Sequence, residues 1–220
     1  MRNPNSSLLR PAAVRPAGAG LARCWWVAWT LLLAAPLATQ AGSTVMLAAA
    51  TPAVVTEYEV KAAYLLRFTR YIEWPAASFA SPESPIVIGV LGRNPFGDAL
   101  ERTVRGMKSQ GRDVTVRLLG GIKEAGGCHM VFIGRGQERD EAAWLAVLRN
   151  QPVVTITDSA DGLARGAILA LFVEELPTGA RVAFAASLPA AQAAGVQLSA
   201  AMLPSARKVI RAEPEQKGHP

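Results

Sequence analysis

Short runs of uninterrupted apolar residues alternate along the chain with longer segments that mix apolar and polar residues. The runs at residues 86–91 and 130–133 carry no polar side chain, which is typical of strands buried on both faces of a parallel sheet. Between and after them, residues 96–105 and 138–149 predict helices of about ten residues. Strands separated by helices of this length predict an α/β fold, a layered sandwich with a mainly parallel sheet and helices on both faces.

The remaining segments complete a single domain, since the chain contains no internal repeat. Residues 57–74 predict a first helix that is apolar on most sides and that Pro75 ends. A turn around Pro177 and Gly179 separates two strand-like segments, which we expect to pair as a C-terminal hairpin. The two hairpin strands are residues 166–173 and 181–188. Further strands are predicted at residues 114–118 and 152–156, and further helices at residues 189–194 and 199–211.

The N-terminus has the three-part layout of a secretory signal. Residues 1–24 contain four arginines and no acidic residue, residues 25–38 are uncharged, and small residues follow. We expect cleavage after Ala41, and cleavage after Ala50 is the alternative. A retained membrane anchor is disfavoured, because the uncharged segment is shorter than the ~20 residues of a membrane span and contains Pro36.

This leader sets the expected boundaries and compartment. After the signal at residues 1–41, we expect a linker at 42–56, the α/β domain at 57–211 and a disordered tail at 212–220. The expected location is a bacterial periplasm, where disulfides are permitted. Cys128 is the only cysteine of the expected mature chain, so no intramolecular disulfide is expected.

The formal net charge of +6 would suit a protein that binds nucleic acid, but it comes mainly from the leader. Removing the four arginines of the leader leaves 19 basic residues against 17 acidic residues. A domain that is nearly neutral gives no electrostatic reason to expect a polyanion as its partner. We therefore expect no nucleic-acid partner.

Few residues of the chain point to catalysis. Cys128 and His129 are adjacent, and neighbouring strand residues face opposite sides, so they cannot act as nucleophile and base. No metal-ligand cluster accompanies His129, and the paired carboxylates Asp158 and Asp161 have neither a histidine nor a nucleophile motif such as G-x-S-x-G near them in sequence. We expect a protein without enzymatic activity or cofactor. Cys128 is either a small buried apolar residue or a redox-active thiol.

An aromatic and arginine-rich face of the first predicted helix is the main candidate for binding a partner. Tyr64, Arg67, Tyr71 and Trp74 follow spacings of three, four and three residues, which places them on one helical face with Arg70 beside it. Aromatic and arginine clusters are typical of hot spots in protein interfaces. The alternative is that the aromatic residues pack into the core and the arginines flank its edge.

In their order along the chain, these segments resemble those of the YfiR-like periplasmic regulators. The similarity is clearest in the aromatic-rich stretch at residues 62–75, which ends in Trp74 and Pro75, and in the Cys-His-hydrophobic strand at residues 128–133. It extends over residues 57–211. The other similar segments are residues 86–92, 95–97, 111–116, 152–158, 166–168, 181–184 and 195–207.

The resemblance implies a regulator that binds the periplasmic sensor region of an inner-membrane diguanylate cyclase, or a related sensor protein, and represses it. Cyclic di-GMP signalling would be the controlled process. Phe184, on the strand at residues 181–188, is then a further candidate for binding the partner. We also consider a homodimer. The alternative is a periplasmic small-ligand receptor with a site at the carboxyl ends of the strands, at residues 92–97, 134–136 and 157–162. A hydrolase is least favoured.

Three positions depart from the pattern of the family. Residues 185–187 are Ala-Ala-Ser, where the family commonly has Glu-x-Asn, so two polar groups are lost. Gly89 stands where the family often has a cysteine. That cysteine would be the natural partner of Cys128, and its absence would remove a disulfide-based redox switch. Pro204 and Ser205 interrupt the last predicted helix, where the family tends to have Leu-Lys.

Overall fold

The first helix, α1 (Glu57–Phe68), begins with a reciprocal pair of hydrogen bonds known as a capping box. The Glu59 N–H donates to the Thr56 hydroxyl (3.3 Å), and the Thr56 N–H donates to the Glu59 carboxylate (2.7 Å). Both bonds satisfy backbone donors that a helix start leaves free. The computed structural model describes residues 56–177 and 179–212, so the predicted signal, nearly all of the linker and most of the tail lie outside the described residues.

The helix α1 ends six residues before the predicted boundary at residue 74. The chain turns there, and Ile72–Glu73 form strand β1, which pairs antiparallel with β9 (Gln197–Leu198). The side-chain amide of Gln110 donates to the carbonyls of Thr69 and Ile72 (2.6 and 2.7 Å). The end of the helix is therefore held by residues that are distant in sequence, which explains why the local pattern did not predict it.

The other strands of the described residues form an eight-stranded sheet. They are β2 (Ile86–Leu91), β3 (Lys108–Ser109), β4 (Arg112–Leu119), β5 (Met130–Ile133), β6 (Val154–Thr157), β7 (Leu169–Leu176), β8 (Gly179–Ser187) and β10 (Lys208–Ile210). Their order in the sheet is β10-β8-β7-β6-β5-β2-β4-β3. Five of the seven neighbouring pairs are parallel, and only β7–β8 and β3–β4 are antiparallel. The predicted mainly parallel sheet and the C-terminal hairpin are confirmed.

Three further helices are α2 (Ala99–Val104), α3 (Glu138–Leu148) and α4 (Leu188–Ala193). The helix predicted at residues 199–211 is wrong. A short 3-10 turn at Leu203–Ser205 and the edge strand β10 occupy that segment instead. Pro204 cannot donate a helical hydrogen bond, and the N–H of Arg207 donates to the Phe184 carbonyl (2.8 Å) at the free edge of β8.

The helices α1 and α3 cover opposite faces of the sheet, as predicted. Ile86, Ile88 and Val90 of β2 belong to the core on the α1 side, whereas Leu91 belongs to the core on the α3 side. Because both faces of β2 are covered, the strand needs apolar residues at successive positions. The described residues contain no helix that is long and apolar enough to cross a membrane.

Candidate functional site

A cleft opens at the carboxyl ends of β2 and β5, where the order of the strands reverses. The chain passes from β2 to β4 on one side and then returns to place β5 on the other side of β2. In open parallel sheets the two connections then lead to opposite faces, which leaves a crevice that commonly binds ligands. Residues 92–97 and 134–136 follow these two strands, so the structure brings together two of the three segments predicted for a ligand site.

The cleft has a volume of about 460 Å³, which falls within the roughly 300–1,000 Å³ of small-molecule sites. The first turn of α1 forms one wall, and the loops after β2 and β5 form the others. Asp158, from the third predicted segment, lies buried at the end of β6. The residues that line the cleft are Glu57, Tyr58, Arg93, Asn94, Pro95 and Arg135.

A network of charged side chains connects the α1 wall of the cleft to Asp158. The ammonium group of Lys61, which is fully buried, contacts the carboxylates of both Glu57 and Asp158. Arg135 also contacts Glu57, and its Nε lies 3.3 Å from Asp158 Oδ2. The Tyr58 hydroxyl donates a hydrogen bond to the same Asp158 oxygen (2.7 Å). One buried carboxylate is therefore shared by three donors from two parts of the chain.

Burial shifts the pKa values of Lys61 and Tyr58. Removal from water lowers the pKa of Lys61, and the bond to Asp158 opposes this effect. Burial and the neighbouring Asp158 carboxylate raise the pKa of Tyr58, because both disfavour a phenolate. The Tyr58 hydroxyl therefore stays a hydrogen-bond donor at neutral pH and is a poor candidate for a nucleophile.

The cleft carries an excess of positive charge. Its carboxylates are Glu57 and Asp158, and its cations are Lys61, Arg93 and Arg135. Arg93 is exposed and forms no ion pair with any residue that the structure describes. Residues 56–177 and 179–212 also contain no group of His, Cys, Asp and Glu side chains that could hold a metal ion. The guanidinium group of Arg93, unpaired among the described residues, is a feature that can bind an anion.

The side chain of His129 links β2 to the segment that precedes it. Its Nδ1 accepts from the Val87 N–H (3.1 Å), and its Nε2 donates to the Ser78 carbonyl (3.2 Å). The ring stacks on Phe79 with centroids 4.3 Å apart. Burial lowers the pKa of His129, which keeps the imidazole neutral and suited to these two bonds.

Four of the six candidate partner-binding residues reach the surface. Arg67 and Arg70 are exposed, and Tyr64 and Tyr71 are half-buried; we call these four residues the aromatic–arginine surface. Because α1 ends at Phe68, helical spacing does not place Tyr71 and Trp74 on its face. This part of the sequence interpretation is corrected.

The other two candidates, Trp74 and Phe184, lie in the core. Trp74 is buried, and its indole N–H donates to the carbonyl of His129 (2.9 Å). Phe184 is 2% exposed and packs edge-on against Phe68, with ring centroids 5.1 Å apart. Phe184 also contacts Tyr64, whose ring centroid lies 6.0 Å away. Phe184 therefore supports the surface from behind through Tyr64, whereas Trp74 packs against His129 in the core, and neither residue forms part of the surface.

Cys128 lies on the opposite face of the sheet, buried and free. The Arg117 Nη2 lies 2.9 Å from its sulfur. A Cβ at Gly89 would lie 2.9 Å from the same sulfur and 2.7 Å from Leu119 Cδ1, so a side chain at this position requires its neighbours to shift. Position 89 is therefore next to Cys128, and the pairing of a cysteine there with Cys128 stays a hypothesis. A redox role for Cys128 itself stays a prediction.

The sequence interpretation missed Lys61, Glu57 and Tyr58. Two signals could have revealed them. Thr56 and Glu59 form a capping-box pattern that begins a helix, and Lys61 is a charged residue one turn before the buried Leu65 of the same helix. A lysine on a buried helix face needs a carboxylate partner, and Lys61 has two, Glu57 one turn earlier on the same helix and Asp158 directly after β6.

The described residues define an α/β protein with a cleft at the carboxyl ends of its central parallel strands. The model of the YfiR/HmsC-like family matches residues 58–207. The match covers more than half of the chain, and the chain belongs to the YfiR/HmsC-like family. No curated protein matches the chain. Membership confirms the resemblance found in the sequence and indicates a periplasmic regulator of diguanylate cyclase signalling.

Proposed function

We propose that the protein binds the periplasmic sensor region of an inner-membrane diguanylate cyclase and represses it without enzymatic activity of its own. Family membership supports the class of partner. The aromatic–arginine surface supports the mode of binding, because it combines two exposed arginines with two half-buried tyrosines. The repressor would bind the inactive conformation of the cyclase more tightly than the active one and thereby shift its equilibrium.

A groove extends the aromatic–arginine surface along α1. It has a volume of about 730 Å³ and runs between α1 and the hairpin of β7 and β8, with Tyr64 at one end and Val182 and Arg181 on the other wall. The strand β10 pairs with Ala185–Ser187 of β8, and within residues 56–177 and 179–212 no other strand covers the edge of the β8 residues that line the groove. A partner could therefore contact the tyrosines and this edge together.

The test is a charge reversal on the surface. The double variant Arg67→Glu, Arg70→Glu should lose capture of the cyclase periplasmic region in a pull-down and should raise cyclic di-GMP in cells. Both arginines are exposed, so the thermal midpoint should stay unchanged.

The matched control is Arg105→Glu, Arg139→Glu, which reverses two exposed arginines elsewhere on the molecule. It should retain capture of the cyclase. Unchanged capture by the Arg67, Arg70 variant, or an equal loss in the control, would rule out this surface as the binding site.

A small-ligand receptor is the second candidate function, and the cleft beside Arg93 and Arg135 favours it. A ligand of this cleft should raise the thermal midpoint of the protein, because it binds the folded state. Screening a panel of small molecules by thermal melting tests this function. The cleft and the aromatic–arginine surface lie toward different ends of α1, and Glu57 lines both the cleft and the groove that extends the surface.

A further inference from the structure

We propose that the cleft at the carboxyl ends of β2 and β5 binds an organic anion and holds its carboxylate or phosphate group between Arg93 and Arg135. The proposal deepens the second candidate function, since a receptor of this shape could instead take a neutral ligand. Nothing in the proposed repression of a cyclase requires it.

The two arginines come from separate loops and line one cavity. Arg93 follows β2 and Arg135 follows β5, and the neighbouring parallel strands end at the same edge of the sheet. A guanidinium group offers a planar fork of donors that matches the two oxygens of a carboxylate or phosphate. The fork of Arg93 is free of ion pairs among the described residues, and Arg135, whose Nε and Nη2 already contact Asp158 and Glu57, retains Nη1 for the same oxyanion group.

Both carboxylates of the charged network are already paired with other donors, which leaves the guanidinium group of Arg93 available to a ligand. Asp158 is already engaged by Lys61, Arg135 and the Tyr58 hydroxyl. Glu57 is engaged by Lys61 and Arg135. Arg93 has no carboxylate partner among the described residues, so an incoming anion would supply the missing negative charge.

Asn94 shapes the loop that carries Arg93. Its side-chain oxygen accepts from the Phe96 N–H (2.9 Å), and its amide nitrogen donates to the Gly97 carbonyl (2.8 Å). Since both of its polar atoms are used within the loop, Asn94 holds the loop in place. The loop is therefore ordered by its own bonds before any ligand arrives, which lowers the entropic cost of binding.

The cleft is too large for an inorganic ion alone, and part of its wall is apolar. Pro95 and the ring of Tyr58 line it. The Tyr58 ring is fixed by an edge-on contact with Phe96, with centroids 5.5 Å apart, and by its bond to Asp158. A rigid aromatic wall beside two arginines suits a ligand with both an anionic group and an apolar or aromatic body.

The experiment uses three aromatic probes that differ in charge: phenyl phosphate, phenylacetate and the neutral phenol. Each is titrated by calorimetry into the protein purified from expression of the full-length chain, at low ionic strength. We expect saturable binding of at least one of the two anions and no measurable binding of phenol. The two anionic probes distinguish a phosphate ligand from a carboxylate ligand.

The variants Arg93→Gln and Arg135→Gln should each weaken binding of the anionic probe by about fivefold or more. The control Arg139→Gln removes the same charge from an exposed position on α3 and should leave the affinity unchanged. Arg135 also contacts Glu57 and Asp158, so Arg135→Gln could lower stability. Arg93 has no such partner, and Arg93→Gln tests the proposal even if the other variant does not fold.

Three outcomes would overturn the proposal. The first is that neither anion binds, and the second is that Arg139→Gln weakens binding as much as Arg93→Gln does. The third is that phenol binds as tightly as phenyl phosphate. The third outcome, or a melting shift caused only by neutral compounds in the panel, would leave the receptor function intact while removing its anion specificity.

Discussion

The two ends of α1 are anchored to the rest of the protein by different forces. At its first turn, Tyr58 and Lys61 reach a buried carboxylate, Asp158, through hydrogen bonds and ion pairs. At its last turn, the main side-chain contact is aromatic, since Phe68 packs edge-on against Phe184, and the Gln110 amide holds the backbone just beyond it. The charged end depends on every partner being present, because an unpaired buried charge is costly. The aromatic end depends on shape and volume, and it tolerates gradual change.

The largest effect should come from removing the shared carboxylate. Asp158→Ala leaves the ammonium of Lys61 buried with Glu57 as its remaining partner, and we expect a loss of about 3–5 kcal/mol in the free energy of unfolding. Urea denaturation measures it. The control Asp161→Ala removes an exposed carboxylate three residues away and should change stability by less than about 0.5 kcal/mol.

A double variant separates the loss of a partner from the loss of an interaction. Lys61→Met, Asp158→Leu replaces the buried pair with apolar side chains, and it should be more stable than Asp158→Ala. If the double variant were as unstable as the single variant, the cost would come from packing and not from an unpaired charge. The contrast between the two ends of α1 would then disappear.

At the aromatic end of α1, a substitution of similar size should lower the free energy of unfolding by less. Phe68→Leu keeps an apolar side chain in place and loses the edge-on contact with Phe184, so we expect a loss of about 1–2 kcal/mol. The same urea denaturation measures it. A loss as large as that of Asp158→Ala would show that both ends are equally intolerant of substitution.

A smaller effect should come from Tyr58→Phe, which removes one hydrogen bond to Asp158 and keeps the ring. We expect a loss of about 1 kcal/mol. The raised pKa of Tyr58 also predicts a spectroscopic change, because the last phase of tyrosine ionisation, well above the ordinary pKa of about 10, should be absent from the variant. A titration of tyrosine absorbance that is identical in shape for the two proteins would contradict the role of this hydroxyl.

The smallest effect concerns the exposed capping box at the charged end. The hydrogen bonds with Thr56 lower the pKa of Glu59, so the carboxylate contributes stability above its ordinary pKa of 4.5, and this contribution is lost as the pH falls below that value. Glu59→Gln should therefore lose less stability than the unaltered protein between pH 6 and pH 3. Urea midpoints at several pH values measure the difference, and parallel curves would contradict it.

The sequence predicted best those elements whose apolar pattern depends only on being buried and not on which other element buries them. The strands β2 and β5 have the predicted bounds, because residues covered on both faces must be apolar at every position. The helix α3 ends one residue before its predicted boundary. By contrast, the end of α1 and the strand β10 depend on Gln110 and on the free edge of β8, which lie far away in sequence.

Only part of the site could be predicted from the sequence, because some of its residues depend on partners that are distant in sequence. The loops after β2 and β5 were identified because parallel strands end at a common edge, which is a property of the fold class. Lys61 was missed because its role depends on a partner 97 residues away. Trp74 and Phe184 were proposed for the surface but lie in the core, because composition identifies an aromatic cluster without indicating which of its rings are covered.

The sequence by itself determined the α/β class, the parallel sheet, the family and the near neutrality of the domain, because periodicity, composition and the order of motifs are properties of the chain. Only the tertiary structure decided that Glu57, Lys61, Arg135 and Asp158 form one network and that Arg93 lies beside it with no carboxylate partner in the described part of the chain. The physical reason is that a buried charge acquires its function from its neighbours, and folding alone brings those neighbours within contact distance.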